Sequence, residues 1–161
     1  MIDFVRNWFT RAEASFAEAS VSDAAHLAAL HADSFRRGWS EAEFEQLLIE
    51  PRVIAERATV GRALAGFIIS RRAADEAEIL SVAVARGWRN RGVAGQLLAL
   101  HLRKLAELGV ARVFLEVDES NTAACRLYRG AEFYQVGRRE RYYGHDAAHP
   151  AAALVLRHDL A

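Results

Sequence analysis

The stretch "SVAVARGWRNRGVAGQLLALHL", residues 81–102, constrains the fold more than any other part of the chain. An apolar run closes at Val84, and from Val93 onward Val93, Leu97, Leu98, Leu102 and Leu105 recur at helical spacing. A strand must therefore hand over to a helix within a few residues. The handover carries Gly87, Gly92 and Gly95 beside Arg86, Arg89 and Arg91, with little that can fill a core. A helix N-terminus exposes unpaired N–H groups and a partial positive charge, and so attracts anions. Gly92 and Gly95 remove side chains from that end, and the arginines add cationic donors around it. A pyrophosphate suits such a turn.

The rest of the chain frames this junction. Residues 14–20 read as a short strand. "SDAAHLAALHADSF" reads as a helix capped by Ser22, with Leu27 and Leu30 inward. "SEAEFEQLLIE" reads as a second helix, opened by a Ser40/Glu43 capping box and closed by Pro51. "RVIAERAT", "RALAGFIIS" and "AEILSVAVA" are strand-like. The leucine helix stops at Gly109. "RVFLEV" is nearly all apolar, as in a strand buried on both faces. A helix near 121–129 and the strands "EFYQVGRRERYY" and "AAALVLRH" complete the order. It predicts an α/β domain with a mixed sheet and helices on both faces.

Composition narrows the function classes. Lysine plus arginine number 21 and aspartate plus glutamate 21 in 161 residues, so no net field favours nucleic acid or a membrane surface. Cys125 is the single cysteine, which excludes an internal disulfide and a cysteine zinc cluster, and it reads as a small buried hydrophobe. His26, His31, His101, His145, His149 and His158 lack ligand spacing, so no metal is predicted, and His101 is expected on a helix surface. Asp3, Arg6 and Asn7 interrupt any apolar leader, making a soluble cytoplasmic protein the default. The length predicts one domain, residues 14–161. Residues 1–13, with Phe4, Trp8 and Phe9, form an extension that packs on the domain, a second copy or a partner.

The chain has neither GxxxxGK[ST] nor GxGxxG. Its Arg89-x-x-Gly92-x-Ala94, between strand and helix, resembles the acetyl-CoA signature of the GNAT acetyltransferases, Gln/Arg-x-x-Gly-x-Gly/Ala. "FLEVDESNTAACRLYRGAEF" resembles the second half of that family's core. Leu115–Val117, Ser120–Asn121, Leu127–Tyr128, Tyr142–Tyr143 and "GWSEAEF" resemble the RimI branch, which acetylates protein N-terminal alanines. The likeness spans roughly 22–158. One departure stands out: the family closes the tyrosine helix with Leu-Gly-Phe, whereas this chain reads Ala131-Glu132-Phe133, so a locally different turn is expected.

The resemblance implies the GNAT fold, a mostly antiparallel sheet of six to seven strands, and acetyl transfer from acetyl-CoA to an amine. It implies that Val82, Ala83 and Val84 offer free main-chain groups to the pantetheine arm and the acetyl oxygen. Arg89, Asn90, Arg91, Gly92, Val93, Ala94 and Gly95 would take the pyrophosphate. Asn121 would bind the pantetheine arm or simply cap its helix. Glu116 would be the general base, against the plainer reading of a salt bridge to a nearby arginine. Tyr128 would be the acid for the CoA thiolate, against that of a packed aromatic. Trp39, Tyr142 and Tyr143 would contact the acceptor, the N-terminal alanine of a small-subunit ribosomal protein, with Glu41, Glu43, Glu45 and Glu50 near its basic tail. A small-molecule amine, a lysine side chain and a noncatalytic acyl-CoA-binding module are the alternatives.

Overall fold

A computed structural model describes residues 13–140 and 152–160. The order is β1 (Ser15–Glu18), α1 (Ala24–Ser34), α2 (Glu41–Ile49), β2 (Val53–Val60), β3 (Ala63–Ala73), β4 (Glu76–Val84), α3 (Val93–Glu107), β5 (Arg112–Asp118), α4 (Thr122–Gly130), β6 (Tyr134–Glu140) and β7 (Ala152–Asp159). The seven strands form one sheet in the order β1-β2-β3-β4-β5-β7-β6. Only β4 and β5 run parallel; the other neighbours are antiparallel. The expectation of a mixed, mostly antiparallel sheet holds. That on residues 1–12 lies outside the described residues.

Helices cover both faces, and each face has its own core. Leu97, Leu98 and Leu105 of α3 are almost fully buried against Ile68, Val113 and Leu115 of the sheet. Each such side chain contributes about 1.5–3 kcal/mol by leaving water. On the opposite face Leu27 of α1 and Phe44 of α2 pack with Phe67 and Ile69. Gly109, with φ +86°, ends α3 in the left-handed conformation that favours glycine.

Local corrections follow from the packing. α2 opens as expected: the Ser40 hydroxyl accepts from Glu43 N–H at 3.1 Å, and Glu43 accepts from Ser40 N–H at 3.0 Å. α1 does not begin at Ser22. A turn of 3-10 helix precedes it, and the Ser20 N–H donates to the Asp23 carboxylate at 2.8 Å. β5 is not buried on both faces: Val113, Leu115 and Val117 face the α3 core, while Phe114 and Glu116 are only half-buried on the other side.

His101 is likewise not on a helix surface. It is fully buried, with Nε2 2.5 Å from the Ser70 hydroxyl and Nδ1 against the Glu56 carboxylate. The heptad-like leucines hid a polar residue on the same inward face. Glu132, in the family's glycine position, takes φ +67°. The turn is therefore left-handed with a Cβ in it, at a cost of roughly 1–2 kcal/mol.

Candidate active site

The sheet opens where β4 meets β5. Their pairing stops after Glu76–Glu78 opposite Arg112–Phe114, although β4 continues to Val84 and β5 to Asp118. A register shift where β4 passes Ile69 and Ser70 of β3 accompanies the divergence. The far end of β4 thus lacks the β5 partner it would have in a continuous sheet, leaving room on that edge. A groove of about 660 Å³ occupies the opening.

The groove gathers most of the residues singled out in the sequence: Val82, Ala83, Val84, Arg89, Asn90, Gly92, Val93, Ala94, Gly95, Asn121 and Tyr128. Gly92 has φ +82° and is the N-cap of α3, so the helix begins from a left-handed residue with no side chain in the way. Nothing lies within 4 Å of a Cβ built at Gly95. Arg89 is oriented by the strand end, its Nε–H donating to the Val84 carbonyl at 3.0 Å. Arg91 does not line the groove; its guanidinium lies over the Trp88 ring, 4.9 Å from the centroid. Asn121 caps α4, accepting from Ala124 N–H at 3.1 Å, while also lining the groove.

Tyr128 reaches the groove from α4 but is 92% buried, with its ring edge-on to Phe133 at 5.6 Å. Burial, helped by neighbouring Cys125, pushes its phenol up to about 12. The hydroxyl therefore stays protonated throughout the working range. Glu116 lies on β5, outside the groove lining, with Oε1 2.9 Å from Nη1 of Arg139. The carboxylate side chain is 25% exposed. The salt bridge of the plainer reading is present.

Trp39 lies away from the groove. With Glu43, Gln46, Leu47 and Glu50 it lines a separate depression on α2. Glu43 is engaged in the α2 cap and Glu50 pairs with Arg71 at 3.1 Å. Tyr142 and Tyr143 lie outside the described residues. The sequence reading missed Ser34 and Phe35 at the end of α1, and Trp88, Ala123, Ala124 and Leu127. Phe35 is 41% exposed, an unusual place for a phenylalanine, and Trp88 directly precedes the arginine of the signature.

An aromatic ladder ties Phe35 to Trp39. The His31 ring stacks on Phe35 at 4.4 Å and on Trp39 at 4.5 Å, and its Nδ1 accepts the Trp39 N–H at 3.0 Å. Burial lowers the His31 pKa below its ordinary value, opposed by Glu43. Since the folded pKa is depressed, the contribution of neutral His31 to stability is fully present above about pH 6.5. It is lost as pH falls through the lower folded value. Urea midpoints should drop as pH falls below about 6.5, and His31→Phe should flatten that segment; an unchanged slope would refute the assignment.

A profile of the acetyltransferase (GNAT) family matches residues 24–133. Among curated proteins, the N-alpha-acetyltransferase RimI of Mycobacterium tuberculosis is 34% identical over 144 residues, 86% of this chain and 87% of that protein. The ribosomal protein bS18-alanine N-acetyltransferase of Escherichia coli K12 is 33% identical over 105 residues, 65% of this chain and 70% of that protein. The crystal structure of the Escherichia coli ribosomal-protein-S18-alanine N-acetyltransferase superposes with TM-score 0.84 at 24% identity, covering 92% of this chain and 95% of that one. Arabidopsis thaliana NAA60, solved in complex with acetyl-CoA, gives TM-score 0.78 at 19% identity over 91% of this chain and 98% of its own. The chain belongs to the acetyltransferase (GNAT) family and is an acetyltransferase, with RimI-type enzymes among its relatives.

Proposed function

We propose that the chain transfers acetyl from acetyl-CoA to the α-amine of a protein N-terminus, in the manner of a RimI-type enzyme, with an N-terminal alanine of a ribosomal protein as the acceptor. The observation that carries this reading is the groove at the β4–β5 divergence, which gathers strand edge, bare helix N-terminus and Tyr128 in one place. The donor set suits acetyl-CoA. Amides around Gly92 and the guanidinium of Arg89 suit a diphosphate, and the uncovered edge at Val82–Val84 suits an amide-bearing arm.

Acetyl-CoA supplies an activated thioester carbonyl. The chain's residues do the rest. Glu116, directly or through a water, takes a proton from the acceptor α-ammonium, whose pKa is about 8, so mild basicity suffices. The free amine nitrogen then attacks the carbonyl carbon. Main-chain N–H groups on Val82–Val84 stabilise the oxygen as it gains charge. As the C–S bond breaks, the attacking nitrogen sheds its second proton to become the amide, and that proton passes through water to the departing sulfur to give the free thiol. The Tyr128 hydroxyl donates a hydrogen bond to the sulfur while charge builds on it. A phenol held near 12 lies well above a thiol at about 8.5, so Tyr128 stabilises the thiolate more readily than it surrenders its proton.

The test is acetyl-CoA turnover against peptides that differ only in their first residue. An alanine-first peptide should exceed a leucine-first one by about tenfold or more in kcat/KM, the scale on which a small pocket rejects extra methylenes. Turnover confined to lysine side chains or to free small amines would remove the N-terminal assignment.

A further inference from the structure

We propose that Arg139 is an internal substitute for the acceptor's α-ammonium: its guanidinium sits on Glu116 where a substrate cation has to sit. Acceptor binding is then an exchange of one cation for another. This rests on the assignment of Glu116 as the group that receives the acceptor's proton.

The placement of Arg139 comes from the sheet. Glu116 pairs with Val155 of β7, and Arg139 of β6 pairs with Ala153, two residues along the same strand and on the same face. The arginine therefore reaches diagonally over β7 to bring Nη1 within 2.9 Å of Oε1. Gly137, which precedes Arg139 by two on that face and pairs with Val155, adds no side chain to the lane. Neighbouring Arg138 is used differently. It makes two hydrogen bonds to Glu119, at 3.2 and 3.0 Å, which tie β6 to the end of β5. Arg139 instead contacts the carboxylate assigned to the chemistry, and its own side chain is 70% exposed.

Exposure on one side makes the pair easy to break, because water screens the guanidinium while the carboxylate is partly shielded. Such a contact orients a carboxylate without holding it against a competing cation. A peptide α-amine arrives mostly as an ammonium at neutral pH and can compete; an uncharged amine cannot displace the arginine electrostatically. The exchange thus favours acceptors that arrive charged, and it keeps a cation on Glu116 between turnovers.

Arg139→Gln removes that guanidinium from the carboxylate. With an alanine-first peptide, the acceptor KM should fall about two- to fivefold, the scale of an exposed ion pair, while kcat moves less and the acetyl-CoA KM holds. Methylguanidinium chloride at tens of millimolar, matched for ionic strength, should raise the variant's acceptor KM competitively and barely affect the parent. Arg139→Lys should retain the parent KM. Should Arg139→Gln unfold, Arg139→Met serves in the same comparison. An unchanged or raised KM, or no competition by methylguanidinium, overturns the proposal while peptide acetylation stands. If acetyl-CoA binds but neither protein acetylates any peptide, the N-terminal reading fails and this one falls with it.

Discussion

Tyr128→Phe should lower kcat by about 10²–10³-fold while leaving acetyl-CoA affinity within about threefold. The substitution deletes one oxygen from a 92% buried side chain whose ring is fixed edge-on against Phe133, so the ring itself stays put. What disappears is the hydroxyl proposed to stabilise the leaving sulfur. A positioned proton or hydrogen-bond donor in the transition state contributes on the order of 10²–10⁴-fold, and the loss appears in kcat because the ground-state thioester sulfur gains little from it. Because burial raises the phenol to about 12, the parent should show no basic limb from Tyr128 below about pH 10. Steady-state kinetics with calorimetric acetyl-CoA binding decide the matter. A variant retaining more than a tenth of the parental kcat would reduce Tyr128 to the packed aromatic of the plainer reading.

The side of the groove running from Val82 to Gly95 was legible in the sequence for a physical reason. It is a contiguous trace: a strand end, a glycine at φ +82°, then a helix. Residues from Val82 to Gly95 are local in the chain, so their grouping needs no long-range knowledge; of the three arginines only Arg89 lines the groove, Arg91 lying over Trp88 instead. Phe35 was not legible, since α1 and β4 meet only through the tertiary fold, and an exposed phenylalanine after a helix carries no period. Glu116 was visible as a carboxylate in an apolar strand. Its partner Arg139 was not, because a contact across an intervening strand depends on a register that the sequence does not state.

The same limit applies inside the core. Periodicity located the inward face of α3 through Leu97, Leu98, Leu102 and Leu105, but it scored His101 as polar and therefore outward. One helical turn after Leu97 the inward face continues through position 101. A polar residue is tolerated there only because β2 and β3 bring Glu56 and Ser70 opposite both ring nitrogens. The departure at Glu132 has the opposite lesson. The sequence lacks the family's glycine, and Glu132 itself holds a left-handed φ of +67°, next to Phe133, whose ring packs edge to face with Tyr128.

His101→Leu should cost roughly 3–5 kcal/mol, a large share of a domain's stability. Leucine fills much of the ring's volume but pairs with neither neighbour. The Ser70 hydroxyl, wholly buried, loses its partner at Nε2, and the Glu56 carboxylate, only 12% exposed in its side chain, loses the group at Nδ1. A buried donor left unmatched costs about 1–3 kcal/mol, and a stranded carboxylate costs more. Removing all three polar groups together, as Glu56→Leu, Ser70→Ala and His101→Leu, leaves no charge to strand and should recover most of the loss. Urea unfolding should therefore show a much lower midpoint for the single variant at unchanged slope, and a near-parental midpoint for the triple variant. A single-variant loss below about 1 kcal/mol would mean that the network contributes little. The consequence reaches the site, because α3 carries the Gly92 turn at its N-terminus and the Glu56–His101–Ser70 network fixes its middle to β2 and β3. Below its melting range, the single variant should bind acetyl-CoA more weakly than the triple variant does.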